Sequence, residues 1–214
     1  MYHNMVDEFN LNAQIAAKIF VPSPQFANES ILRGIVPKRY ADKFETLPPA
    51  IDARLSVFSS KHIAGSGSLI KIAYTGGLGE FYDFKKFIEA LKICYELPIQ
   101  FDMYVRKNEL EASKNIYGDL NQVDNINIYE GAFTDLASNK HYDLGLCLFD
   151  ANLYRKMAAP VKLFDYLSLS IPVIVGNGTF AEDIIKNDDV GFNIDYTVND
   201  IVGLLISVVE NRIL

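Results

Sequence analysis

The sequence predicts an α/β protein: a doubly wound parallel sheet over residues 69–214, preceded by a partial second α/β domain. Three observations carry that expectation. From about residue 70 onward, short apolar runs alternate with amphipathic ones, the pattern of βα units around a parallel sheet. Six such runs follow one another, enough for one complete nucleotide-binding-type domain. The residues before them offer two helical stretches around a single short apolar run, too little to close a sheet.

In chain order, "NLNAQIAAK" and "FANESILRG" read as helices on either side of "IFVPS", and "FETLPPAID" follows. Loop-forming residues then crowd "SSKHIAGSGS" at 59–68, where Gly-Ser-Gly-Ser is most simply a flexible connection. The expected organisation is therefore a partial N-terminal domain over 1–58, a linker over 59–68 and a full domain over 69–214. Within the last, "LIKIAYT", "IQFDMYV", "NINIYE", "DLGLCLFD", "IPVIVG" and "GFNIDY" read as strands. Phe84, Phe87, Ile88 and Leu91 form one apolar helical stripe behind Asp83 as N-cap. Ile201, Leu204, Leu205 and Val208 repeat that spacing behind Asn199. In such a domain ligands sit beyond the carboxyl ends of the strands.

Composition excludes several classes of function. The net charge of −7 and the lack of a Lys/Arg cluster argue against nucleic acid, whose phosphates are bound by clustered cations. Cys94 and Cys147 lie in apolar contexts, "LKICYEL" and "LGLCLFD"; they read as small buried hydrophobes in a reducing compartment, with no disulfide framework. His3, His62 and His141 have no partners at metal-ligand spacing, so no metal site is expected. The N-terminus does not read as a signal peptide, and no apolar run approaches the ~18 residues of a membrane span.

One stretch places a charge where the pattern asks for none. In "APVKLFDYLSLSIPVIV", Asp165 stands within a helix whose Leu163, Phe164 and Leu167 face a core, just ahead of a buried strand. Pro160 suits the first turn of that helix, and Lys162, Asp165 and Tyr166 fall on one face near its start. A helix start offers free amides and a positive dipole end to a phosphate, and a carboxylate one turn on could accept hydrogen bonds from the two hydroxyls of a ribose. The competing reading is a plain Lys162/Asp165 surface pair. In "YTGGLGEFYDF", Gly76, Gly77 and Gly79 occupy the turn after the first strand, where glycines let backbone amides approach a ligand closely; the spacing is not GxGxxG. Arg155 and Lys156 in "FDANLYRKMAAP" could contact phosphate or acceptor, or be solvent-facing loop charges. Thr179 in "GNGTFAEDII" marks a further helix start. No Ser/His/Asp or Cys/His grouping recommends covalent catalysis.

Taken together these segments resemble the C-terminal, donor-binding half of the GT-B glycosyltransferases, in the retaining, group-1-like branch. "PVKLFDYLSLSIPVIV" is similar to that family's Pro-x-Lys-x-x-Glu-Tyr segment with its following Pro-Val strand, Asp165 standing at the acidic position. "IAYTGGLGEFYDFKKFIEAL" resembles its strand, glycine turn and helix. Upstream, "YHNMVDEF" and "IFVPSPQFANESILRG...LPPAID" look like the tail of its N-terminal, acceptor-side domain. The resemblance covers nearly the whole chain but only part of a full-length member.

The resemblance implies a Rossmann-like fold and a nucleotide sugar, UDP- or GDP-linked, in an interdomain cleft with no obligatory metal or other cofactor. It implies Asp165 on the nucleotide ribose and Gly76 and Gly77 at the diphosphate. Many relatives carry an Arg after the first turn glycine and a Lys a few residues on; here those places are Gly77 and Tyr82, and the first acid of the family's spaced pair falls at Met157. Phosphate charge would then fall to Lys162, to Arg155 or Lys156, and to helix amides. The implied activity is transfer of a hexose to a saccharide or lipid-linked acceptor in bacterial-type surface polysaccharide or capsule assembly. The implied place is the cytoplasm, at the inner face of the membrane where the acceptor is lipid-linked. No catalytic base is identified. The alternative is a truncated or non-catalytic sugar-nucleotide-binding partner of another chain, and self-association through the incomplete N-terminal part is expected in either case.

Overall fold

The computed structural model describes residues 2–50, 69–79, 82–139 and 141–211. The expected linker at 59–68 lies outside the described residues. The N-terminal part consists of α1 (Tyr2–Ile15), β1 (Ile19–Val21), α2 (Pro24–Leu32), a 3-10 turn and β2 (Phe44–Thr46). β1 and β2 pair in parallel, Ile19 opposite Phe44. β2 was not expected from the sequence: "FET" is too short and too polar to register as a strand, and only its pairing with β1 makes it one. Ser23 caps α2, accepting a hydrogen bond from the Phe26 amide at 3.1 Å, with Pro24 in the first turn.

The remaining strands form one six-stranded parallel sheet, β3 (Ile70–Thr75), β4 (Ile99–Val105), β5 (Ile126–Glu130), β6 (Leu144–Cys147), β7 (Val173–Gly176) and β8 (Gly191–Ile194), in the spatial order β5-β4-β3-β6-β7-β8. All six expected strands are present. They were legible because strands buried on both faces read as continuous apolar runs; every residue of β6 and of β7 is buried. The helices are α3 (Lys85–Ile93), α4 (Lys107–Tyr117), α5 (Phe133–Asn139), α6 (Leu153–Met157), α7 (Val161–Ser168), α8 (Phe180–Asp188) and α9 (Val198–Asn211). On one face, Phe87 and Leu91 of α3 and Ile201, Leu205 and Val208 of α9 pack with Ile72, Phe101 and Leu146. On the other, Leu163 and Tyr166 of α7 and Ala181 and Ile185 of α8 pack with Ala73, Val173 and Val175.

Two helix starts differ from expectation. Asp83 does accept a hydrogen bond from the Lys85 amide at 3.0 Å, but the cap position is Phe84. α9 is capped by Thr197, whose Oγ1 accepts from the Asp200 amide at 3.1 Å, and Asn199 lies inside the helix. Asp200 in turn reaches Thr197 Oγ1, so the two side chains satisfy each other, a pairing that helical spacing alone did not select. Among the described residues no helix is long and apolar enough to cross a membrane.

Consecutive strands run outward in opposite directions from the β3/β6 boundary, so a crevice opens beyond their carboxyl ends at that switch point. One contact fixes its geometry. The Tyr166 ring lies against Gly145 of β6, so close that a Cβ on Gly145 would stand 2.6 Å from ring carbons. Its phenol accepts a hydrogen bond from the Thr75 amide at the end of β3, at 2.9 Å. Tyr166→Phe should cost about 1–3 kcal/mol by leaving a buried amide unpaired, and Gly145→Ala about 1–3 kcal/mol by overpacking. Urea denaturation checks both; a neutral Gly145→Ala would contradict this packing.

Candidate functional site

At the carboxyl end of β3 the chain turns through Gly76, whose φ of 137° suits only glycine at low cost. Tyr74, buried near the end of β3, donates its phenol hydrogen bond to the Gly77 carbonyl at 2.6 Å. Lys162, one residue into α7, donates from Nζ to Tyr74 Oη at 2.9 Å. A Cβ on Gly76 would lie 3.0 Å from that same Nζ. The glycine turn and the helix start are thus brought together by a Lys162–Tyr74–Gly77 hydrogen-bond chain, 88 residues apart in sequence at its first link.

The Lys162 ammonium stands over aromatic rings, 4.0 Å from the centroid of Tyr74, 5.0 Å from Tyr82 and 5.4 Å from Phe149. Burial lowers its pKa to about 8, with Arg155 acting in the same direction and the nearby Cys147, Asp165 and Glu109 acting against it. It borders a cavity of about 280 Å³ shared with Tyr82, Cys147, Phe149, Arg155 and Thr179. A wider recess of about 750 Å³, also lined by Tyr82, Phe149, Tyr154 and Arg155, adjoins it; together they fall in the size range of small-ligand sites. The Arg155 guanidinium lies 4.0 Å from the centroid of Phe149; the residue belongs to α6, whose cap Asn152 accepts from the Arg155 amide at 2.9 Å.

The predicted residues are not all in one place. Gly76, Gly77, Lys162 and Arg155 gather at the crevice. Lys156 is exposed and does not line the cavity. Asp165 lies one turn further along α7, half-buried and away from the cavity wall. The simple Lys162/Asp165 pair does not form, because Lys162 turns to Tyr74 instead. The Asp165 carboxylate makes no hydrogen bond and no ion pair among the described residues, and burial raises its pKa despite Lys162. Thr179 does stand at a helix start, but its hydroxyl donates to the Gly176 carbonyl at 2.7 Å and makes no cap; Glu182 reaches back to the Gly178 amide at 2.6 Å in its place.

Several side chains at the site carried no signal in the sequence. Tyr74 reads as one more apolar strand residue. Cys147 is the buried hydrophobe expected, with a pKa raised by burial to about 12, but it also lines the cavity. Glu109, in the first turn of α4, accepts from the Leu78 amide at 2.8 Å; its place at the glycine turn follows from strand order, not from spacing. Met157, where the family resemblance put an acid, has its carbonyl taken by the hydroxyl of buried Ser23 at 2.5 Å, which ties the N-terminal part to the α6 loop. Among the described residues no group of three or more His, Cys, Asp or Glu side chains could hold a metal ion.

The same architecture recurs in solved structures. Anabaena HepE in complex with UDP and glucose superposes with a TM-score of 0.70 at 13% identity, over 98% of this chain and 58% of that one. A glycosyltransferase from Rickettsia africae ESF-5 gives 0.68 at 12% identity, over 96% and 57%. WaaG, a glycosyltransferase involved in lipopolysaccharide biosynthesis, gives 0.60 at 16% identity, over 90% and 54%. The chain thus spans little more than half the length of each. At these identities the likeness establishes the fold, the Rossmann-like C-terminal half of GT-B proteins. No curated protein matches by sequence. Residues 73–213, well over half of the chain, match the model of the family described as "Glucosyltransferase 3-like, C-terminal domain", and the chain belongs to that glucosyltransferase 3-like family.

Proposed function

We propose that this chain carries the donor half of a glycosyltransferase that moves a hexose from a nucleoside diphosphate to a saccharide or lipid-linked acceptor. The observation that carries the reading is the Lys162 ammonium, desolvated beside the Gly76–Gly77 turn at the switch point of the sheet. A partly buried cation that makes no ion pair among the described residues gains from a bound anion. Lys162 and Arg155 would meet the diphosphate, Asp165 the ribose hydroxyls, and Lys156, on the solvent side, the acceptor. As the glycosidic bond lengthens, charge develops on the departing diphosphate, and the two cations stabilise it. With that charge so met, the reading asks for no metal.

Family membership supports the reading, and so does the complex of HepE with UDP and glucose. UDP is accordingly the first nucleotide to test. Surface polysaccharide assembly is supported by the likeness to WaaG, and would place the reaction in the cytoplasm, at the inner membrane face for a lipid-linked acceptor. A second reading, a donor-binding chain that acts only with another polypeptide, is favoured by the two-stranded β1–β2 pair, where Phe20 of β1 and Leu47, just past β2, remain 60% and 62% exposed. The division into an acceptor-side part over 1–58 and a donor domain over 69–214 belongs to the same proposal.

Calorimetric titration with UDP and GDP tests it. Lys162→Met should weaken diphosphate binding at least about tenfold, and Asp165→Ala should weaken it while leaving pyrophosphate binding unchanged; indifference to both variants would sink the assignment. A pH series gives an independent check. The free Lys162 pKa of about 8 means the ammonium is present below that pH and lost above it. UDP affinity should hold to about pH 8 and then fall by up to about tenfold per pH unit, whereas Lys162→Met should show no such fall.

A further inference from the structure

The glycine turn is already occupied by an anion belonging to the protein. Glu109 Oε2 accepts the Leu78 amide at 2.8 Å. A Cβ on Gly77 would stand 2.7 Å from that oxygen and 2.6 Å from Tyr82 Cε2. The Leu78 amide is thus taken by a carboxylate, and the space beside Gly77 is filled by that carboxylate and a ring. The other oxygen, Oε1, lies 3.7 Å from Arg106 Nη1, and the Arg106 side chain is 80% exposed. The carboxylate is also close enough to Lys162 to favour its charged form.

Resting on the donor-site reading above, we propose that Glu109 is a gate: its carboxylate holds the Leu78 amide as a stand-in for phosphate, and a nucleoside diphosphate must displace it toward Arg106 to bind. A main-chain amide at a strand-to-helix turn serves one anion at a time. Two like charges within a few ångströms in a partly desolvated site repel strongly. Arg106 supplies the alternative partner, since a guanidinium can take a carboxylate through two parallel hydrogen bonds. The gate makes the empty site neutralise itself, and it sets a preference for ligands with enough phosphate charge to displace a carboxylate over nucleosides without phosphate.

The test is titration of the wild-type chain and Glu109→Gln with UDP, GDP and uridine. Glutamine keeps an acceptor oxygen for the Leu78 amide and removes the charge. The gate predicts that Glu109→Gln binds UDP or GDP about tenfold more tightly and uridine no differently. Equal diphosphate affinity in the two proteins would leave the donor site standing and overturn the gate alone, and weaker affinity in Glu109→Gln would overturn it in favour of a purely supporting role. Binding of no nucleotide by either protein would overturn the donor-site reading and the gate with it. A measurement on the wild type does not depend on the variant folding: the Leu78 amide resonance should shift on saturation with UDP, and a resonance left in place would overturn the gate.

Discussion

The hydrogen bond from the Thr75 amide to the Tyr166 phenol, made across the bare backbone of Gly145, is the constraint on which the site depends. It spans three elements: the end of β3, the middle of β6 and the second turn of α7. Because Gly145 offers no side chain, the helix sits close to the sheet. Because the phenol reaches the last amide of β3, the helix start comes to lie beside the glycine turn. Lys162, one turn before Tyr166, is thereby delivered to Gly76 and Tyr74 at the switch point of the sheet. A Cβ on Gly145 would press α7 outward and carry Lys162 away with it.

The electrostatics of Lys162 follow from that placement. Contact with aromatic faces favours the ammonium by about 0.5–2 kcal/mol, while taking a charge out of water costs several. Desolvation wins, and the pKa falls to about 8. Asp165 shows the same imbalance with the opposite sign, its carboxyl pushed up by burial with no described donor to compensate. An opposite pair of partly buried charges that do not bond each other is costly to the empty protein. In the proposed donor complex, phosphate would relieve the first and ribose hydroxyls the second.

The sheet was readable from sequence because fully buried parallel strands leave uninterrupted apolar runs, as in "DLGLCLFD" and "IPVIVG". Helix starts were less so. Thr197 and Asn199 are both ordinary caps, and only the pairing of Thr197 with Asp200 decides between them. β2 escaped because its partner supplies what its own residues lack. Lys162 and the glycines at the crevice, and Asp165 one turn further along α7, stood out as polar or flexible residues in apolar surroundings. Tyr74 and Glu109 did not, since each acts by reaching across from another element, and such reach depends on strand order and register.

Determining the structure of the chain with UDP bound tests most directly the proposal that Lys162, placed by Tyr166, receives the donor diphosphate. A phosphate oxygen is expected at hydrogen-bond distance, about 2.7–3.2 Å, from Lys162 Nζ beside the Gly76–Gly77 turn. UDP bound elsewhere, with Nζ still donating to Tyr74 Oη and no phosphate within reach, would contradict it.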